Sequence, residues 1–103
     1  MILLDRVEQA MAEMPLVAIL RGLQPEDAAE TGQILVDAGF RLIEVPLNSP
    51  SPFQSIRILR ETLDENVLVG AGTVLDVADV KRLVDVGGQI VVTPNMNLSL
   101  IHI

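Results

Sequence analysis

Two stretches of this chain run through the same order of features: Leu35-Val36-Asp37-Ala38-Gly39-Phe40-Arg41-Leu42-Ile43-Glu44-Val45-Pro46 and Leu83-Val84-Asp85-Val86-Gly87-Gly88-Gln89-Ile90-Val91-Val92-Thr93-Pro94. Each reads as a helix end, a glycine turn, a short apolar run and a proline that closes it. Four such apolar runs, Leu16 to Leu20, Leu42 to Val45, Val67 to Val69 and Gln89 to Thr93, predict strands. The segments between them repeat their apolar residues at a period near 3.6, which predicts helices. Strand starts recur about every 24 residues, the length of one strand-helix unit, so the chain predicts a parallel sheet with right-handed crossovers. A doubly wound sheet and a (βα)8 barrel both satisfy this pattern, and the repeat leaves them open.

The helix ends are written into the sequence. Pro25 suits a first helical position, Glu26 and Asp27 favour the positive end of the dipole, and Gly39 follows as terminator. Ser51 can cap the next helix with Pro52 behind it, and Ile56, Leu59 and Leu63 form its buried stripe. The third helix starts at Asp76, buries Val77, Val80, Leu83 and Val84, and stops at Gly87-Gly88. Ahead of the first strand, Leu4, Val7, Met11 and Met14 at helical spacing predict an N-terminal surface helix.

Composition narrows the function. The 103 residues, half of them apolar, suffice for one small globular domain. A net charge of -7, without a basic stripe or basic-aromatic cluster, argues against nucleic acid as a partner. No cysteine is present and the single histidine is His102, which excludes disulfides, thiolate metal sites and histidine-cluster metal sites. No apolar run approaches the roughly 18 residues of a membrane span, and the acidic first turn is unlike a signal peptide. These features predict a cytoplasmic protein with no membrane partner.

Glu44 is the residue that composition does not explain. Strands of a parallel sheet are covered on both faces, so a carboxylate among Leu42, Ile43 and Val45 is costly unless it is paired with an arginine or has chemistry to perform. Polar or turn-forming residues stand at the carboxyl ends of all four strands: Arg21-Gly22, Glu44 with Asn48, Gly70-Ala71-Gly72-Thr73, and Thr93-Pro94-Asn95. Ligands of parallel α/β proteins bind at that end, where the strand-to-helix loops gather. The Arg21 guanidinium suits a carboxylate or phosphate, or else an ion pair with Glu44. Gly70-Ala71-Gly72-Thr73 lacks the later glycine of a dinucleotide fingerprint and the lysine of a P-loop, and reads equally as close packing where the strand turns out. Lys81, the only lysine, sits between Val80 and Leu83 away from the buried stripe and reads as a surface residue.

Val17-Ala18-Ile19-Leu20-Arg21-Gly22, Ile43-Glu44-Val45-Pro46-Leu47-Asn48-Ser49-Pro50, Val69-Gly70-Ala71-Gly72-Thr73-Val74 and Val92-Thr93-Pro94-Asn95 together resemble the family of 2-keto-3-deoxy-6-phosphosugar aldolases, from about Pro15 to Asn95. The Pro46-Leu47-Asn48-Ser49-Pro50 run is similar to the 6-phosphogalactonate branch; the gluconate branch would carry Leu-Arg-Thr in place of Leu47-Asn48-Ser49. The resemblance implies a (βα)8 barrel, of which this chain is the N-terminal half: an N-terminal helix, then about four parallel strands alternating with helices. It implies a trimer, and a lyase that cleaves a phosphorylated keto-deoxy sugar acid to pyruvate and glyceraldehyde 3-phosphate through a lysine Schiff base, with no metal and no cofactor. Glu44 is then the proton shuttle. Arg21 and Thr73 hold the substrate at its carboxylate end, and Asn48 and Pro94 line the same pocket.

The Schiff-base lysine of this family belongs to a strand beyond Asn95, and the phosphate loops come later still. A complete member is expected to be about twice as long as this chain. Residues 1–97 are expected to form the partial aldolase domain, and residues 98–103, which do not continue the pattern, a non-native tail. The fragment alone is expected to be inactive. A second reading is a non-catalytic half-barrel that pairs with itself or another chain through its open sheet edge. A third, another phosphate-binding barrel such as an isomerase or synthase, accounts poorly for Arg21 together with Glu44.

Overall fold

The alternation becomes, in a computed structural model, β1 (Val17–Ile19), α1 (Pro25–Asp37), β2 (Leu42–Pro46), α2 (Pro52–Thr62), β3 (Leu68–Gly72), α3 (Val77–Asp85), β4 (Ile90–Val92) and a short β5 (Leu100–His102). The structure describes residues 8–10, 12, 16–72, 76–92 and 100–102, with the side chains of 92 and 100–102 outside that description. Residues 8–10 and 12 are helical, as expected, whereas the stripe residues Leu4, Val7, Met11 and Met14 lie outside the described set. The first four strands pair in chain order and all parallel. The fifth, which the strand pattern did not predict, runs antiparallel against β4. Among the described residues no helix is long and apolar enough to cross a membrane.

The repeat has a common backbone cause. Gly39 and Gly87, the equivalent residues of the two stretches, both take positive φ, 107° and 90°, and turn the chain out of α1 and α3 towards the next strand. Pro25 opens α1 after Gln24, and the Asp76 carboxylate caps α3 by accepting from the Asp79 amide at 2.8 Å. Ser51 departs from expectation. It occupies the N-cap of α2, but in the left-handed region with φ 42°, and its side chain makes no capping bond.

Alternation along the strands divides the core in two. Ala18, Ile43, Val45, Val69, Ala71 and Val91 face the helices and pack with Ala28, Phe53, Ile56, Leu59, Leu63 and Leu83. Full burial of side chains such as Ile56 and Leu59 contributes about 1.5–3 kcal/mol each. Leu42, Leu68 and Ile90 point to the opposite face, where Ala10 of the N-terminal helical segment packs on them with Val17. Sheet faces covered on both sides explain why the strands read as apolar runs rather than alternating ones.

Two element expectations need correction. The third strand does not end at Val69: Gly70, Ala71 and Gly72 are its last residues, fully buried and paired with β2 and β4, in keeping with the close-packing reading of these glycines. Glycine fits there because the neighbouring groups leave no room for a side chain. In α3 only Leu83 of the expected stripe is buried, where α3 packs on α2; Val77, Val80 and Val84 are exposed.

Candidate functional site

The site is built from the inward face of β2 and β3 where the strands end. The register places Ile19 beside Glu44, and Glu44 beside Gly70; one step further along, Pro46 lies beside Gly72. Glu44 shares its face with Leu42 and so points away from the face on which α1 and α2 pack. Both inward positions of β3 near the strand ends are glycines. A Cβ at Gly72 would overlap the Glu44 carboxyl carbon and both its oxygens, so the carboxyl occupies the space that a side chain at residue 72 would fill.

Glu44 is only 5% exposed, and its Oε2 is buried without a hydrogen-bond partner among the described residues. Burial raises its pKa above the ordinary carboxylate value, while the nearby Arg21 guanidinium pulls it in the opposite direction. That attraction acts at a distance. Arg21 is exposed on the loop after β1, and the ion pair entertained from sequence does not bring it onto Oε2. A carboxyl of this kind can take up and release a proton nearer neutral pH than a solvated one.

Three of the five expected site residues are described, and all three lie at the carboxyl ends of the strands. Arg21 follows β1, Glu44 belongs to β2, and Asn48, exposed, lies in the turn after β2. Thr73 and Pro94 lie outside the described residues. Lys81 is exposed on α3, as expected.

Two residues escaped the sequence reading. Gly72 makes the bed of the Glu44 carboxyl. Ser49, buried to 5% exposure, accepts a hydrogen bond from the Gly22 amide at 3.2 Å and so ties the loop after β1 to the loop after β2. Ser49 stood inside the Pro46 to Pro50 motif, but a contact spanning this much sequence has no local signal. The second loop is anchored further by Ser49 N donating to the Pro46 carbonyl at 3.0 Å and Leu47 N to the Gly72 carbonyl at 3.2 Å.

Fold and site together define a parallel β/α sheet of the (βα)8 type with a buried carboxyl at the carboxyl ends of its strands. The family model described as KDPG and KHG aldolase matches residues 7–103, and the chain belongs to that family. It is 47% identical over 97% of its length to a probable 2-dehydro-3-deoxy-6-phosphogalactonate aldolase of Rhizobium meliloti (strain 1021), covering 47% of that protein. Against the 2-dehydro-3-deoxy-6-phosphogalactonate aldolase of Escherichia coli (strain K12) it is 42% identical over 91% of its length, covering 46% of that protein. A solved structure described as "Native KDPGal structure" superposes with a TM-score of 0.72 at 46% identity, over 81% of this chain and 40% of that one. The chain thus spans about half the length of the curated relatives it matches.

Proposed function

We propose that this chain is the N-terminal half of a Schiff-base aldolase that cleaves 2-dehydro-3-deoxy-6-phosphogalactonate to pyruvate and D-glyceraldehyde 3-phosphate. The observation that carries the reading is Glu44: a buried carboxyl with raised pKa and an oxygen that has no hydrogen-bond partner among the described residues, held at the carboxyl ends of the strands. The galactonate branch is favoured by Pro46-Leu47-Asn48-Ser49-Pro50 and by the names of the relatives in Rhizobium meliloti and Escherichia coli.

In this mechanism a lysine amine adds to the substrate's keto carbon and water leaves, forming an imine. The imine accepts the electron pair of the breaking carbon-carbon bond while the adjacent hydroxyl gives up its proton, which releases the aldehyde. The remaining enamine takes a proton on carbon, and hydrolysis frees pyruvate. The protonated imine is the electron sink, so the reaction calls for no metal or organic cofactor. Glu44 carries the protons between oxygen and carbon, a task suited to a carboxyl whose pKa lies towards working pH. Arg21 and Thr73 hold the substrate carboxylate, and Asn48 and Pro94 line the pocket. The nucleophile is not Lys81, which stands on the surface of α3. The whole protein is a cytoplasmic homotrimer in this reading, and residues 98–103 are a non-native tail.

Pyruvate with borohydride tests the assignment. The 103-residue chain should keep its mass, and the whole protein encoded by the complete reading frame should gain one pyruvyl adduct on a lysine outside this chain. An adduct on Lys81 would overturn the account. Comparing kcat/KM for the galactonate and gluconate substrates decides between the branches.

The exposed Leu16, Ile19 and Ile34 around β1 favour a second reading of the isolated chain, a half-barrel that pairs with another copy or another chain. Light scattering after size exclusion decides it, since a compact monomer argues against pairing and a defined dimer for it.

A further inference from the structure

We propose that Ser49 is a positioning residue for Arg21, acting through the peptide bond between Arg21 and Gly22. The inference rests on the reading of Arg21 as the group that holds the substrate carboxylate. The chain leaves β1 through a four-residue turn in which the Leu23 amide donates to the Leu20 carbonyl at 3.4 Å. Arg21 and Gly22 are its central residues, and Gly22 has φ 78°. A positive φ of about 80° at the third position is the mark of a type II turn, which needs glycine there.

Type I and type II turns differ by a flip of the central peptide, here the one that joins Arg21 to Gly22. The amide of that peptide donates to the Ser49 hydroxyl at 3.2 Å. Ser49 is itself held, being buried and bonded through its own amide to the Pro46 carbonyl at the end of β2. The hydroxyl therefore holds the Arg21–Gly22 peptide in one orientation and fastens the loop that carries Arg21 to the loop after β2. Arg21 is exposed, and the guanidinium lacks a bond to the Glu44 Oε2 that would otherwise orient it. Its placement depends on the backbone that carries it.

The test uses the whole protein with Ser49→Ala and Ser49→Thr. Ser49→Ala should raise KM roughly five- to tenfold with kcat within about twofold, the loss expected of one partly buried hydrogen bond. The Gly22 amide should exchange with deuterium faster by a similar factor. Ser49→Thr keeps the hydroxyl and should stay within about twofold of native in both measurements. Should Ser49→Ala fail to fold, Ser49→Cys, close in volume and a weak acceptor, carries the same comparison. The inference is overturned if the alanine or cysteine variant matches the threonine variant, if KM is unchanged, or if Gly22 exchange does not respond. A native protein without aldolase activity refutes the proposed function itself; an active native protein indifferent to Ser49→Ala refutes only this inference.

Discussion

Replacing Gly72 with alanine should separate catalysis from stability, and the neighbouring Gly70 supplies the contrast. A Cβ on Gly72 would overlap three atoms, all of them the carboxyl end of the Glu44 side chain. That group is the end of a flexible side chain and can be pushed aside, so the backbone need not move. Overpacking costs about 1–3 kcal/mol, and removal of a strand glycine returns about 0.5–1 kcal/mol; the net loss of stability should stay below about 2.5 kcal/mol by these figures. The carboxyl, however, leaves the position from which it would exchange protons. Loss of a positioned acid-base group lowers kcat by about 10²–10⁴-fold, or about 3–5.5 kcal/mol of transition-state stabilisation, so activity should fall further than stability. In Gly70→Ala the new Cβ would instead meet the Ile90 carbonyl oxygen, a backbone atom that cannot move without breaking the β3–β4 pairing. That variant should be the less stable of the two. The measurements are kcat and thermal melting of the whole protein carrying each change, with Glu44→Gln as the reference for a lost carboxyl. A Gly72→Ala enzyme whose kcat stays within about threefold of native, against the effect expected of an acid-base group, would refute the reasoning.

Two further outcomes follow from the same structure. The folded-state pKa of Glu44 is raised above the ordinary carboxylate value, so between the unfolded and folded pKa values the native state binds more protons than the unfolded one, and stability falls as pH rises through that window. Glu44→Gln should therefore be more stable than native at neutral pH, with the gap closing as pH falls below the unfolded pKa; urea titrations across pH would show it, and a gap that widens on acidification would sink the claim. Asp76→Ala removes the carboxylate that accepts from the Asp79 amide at the start of α3 and should cost about 0.5–2 kcal/mol, read as a lower melting temperature without loss of kcat.

The alternation of strands and helices was legible because it is local. Apolar runs, helical periodicity, Pro25, Asp76, and the glycines at 39 and 87 each act on their own few residues, and each does so in the fold. Glu44 was legible for the same reason, as a charge in a strand that should carry none. Errors arose where neighbours from elsewhere in the chain decide. The third strand was expected to end at Val69, since glycine weakens a strand, yet close pairing with β2 and β4 keeps Gly70 to Gly72 in the sheet. The Val77, Val80 and Val84 stripe was correctly apolar, but burial requires a partner surface, and the described helices provide one only for Leu83.

What the amino-acid order determined by itself is therefore the order of elements, the parallel sheet they imply, and the odd carboxylate in β2. Only the tertiary structure decided that Gly72 vacates the space the Glu44 carboxyl fills, that Arg21 acts on it without touching Oε2, and that Ser49 joins two loops. The physical reason is range. Propensity and periodicity act over a helical turn or a strand, whereas a site is a contact among residues from separate strands, and its geometry exists only once the sheet has brought their ends together.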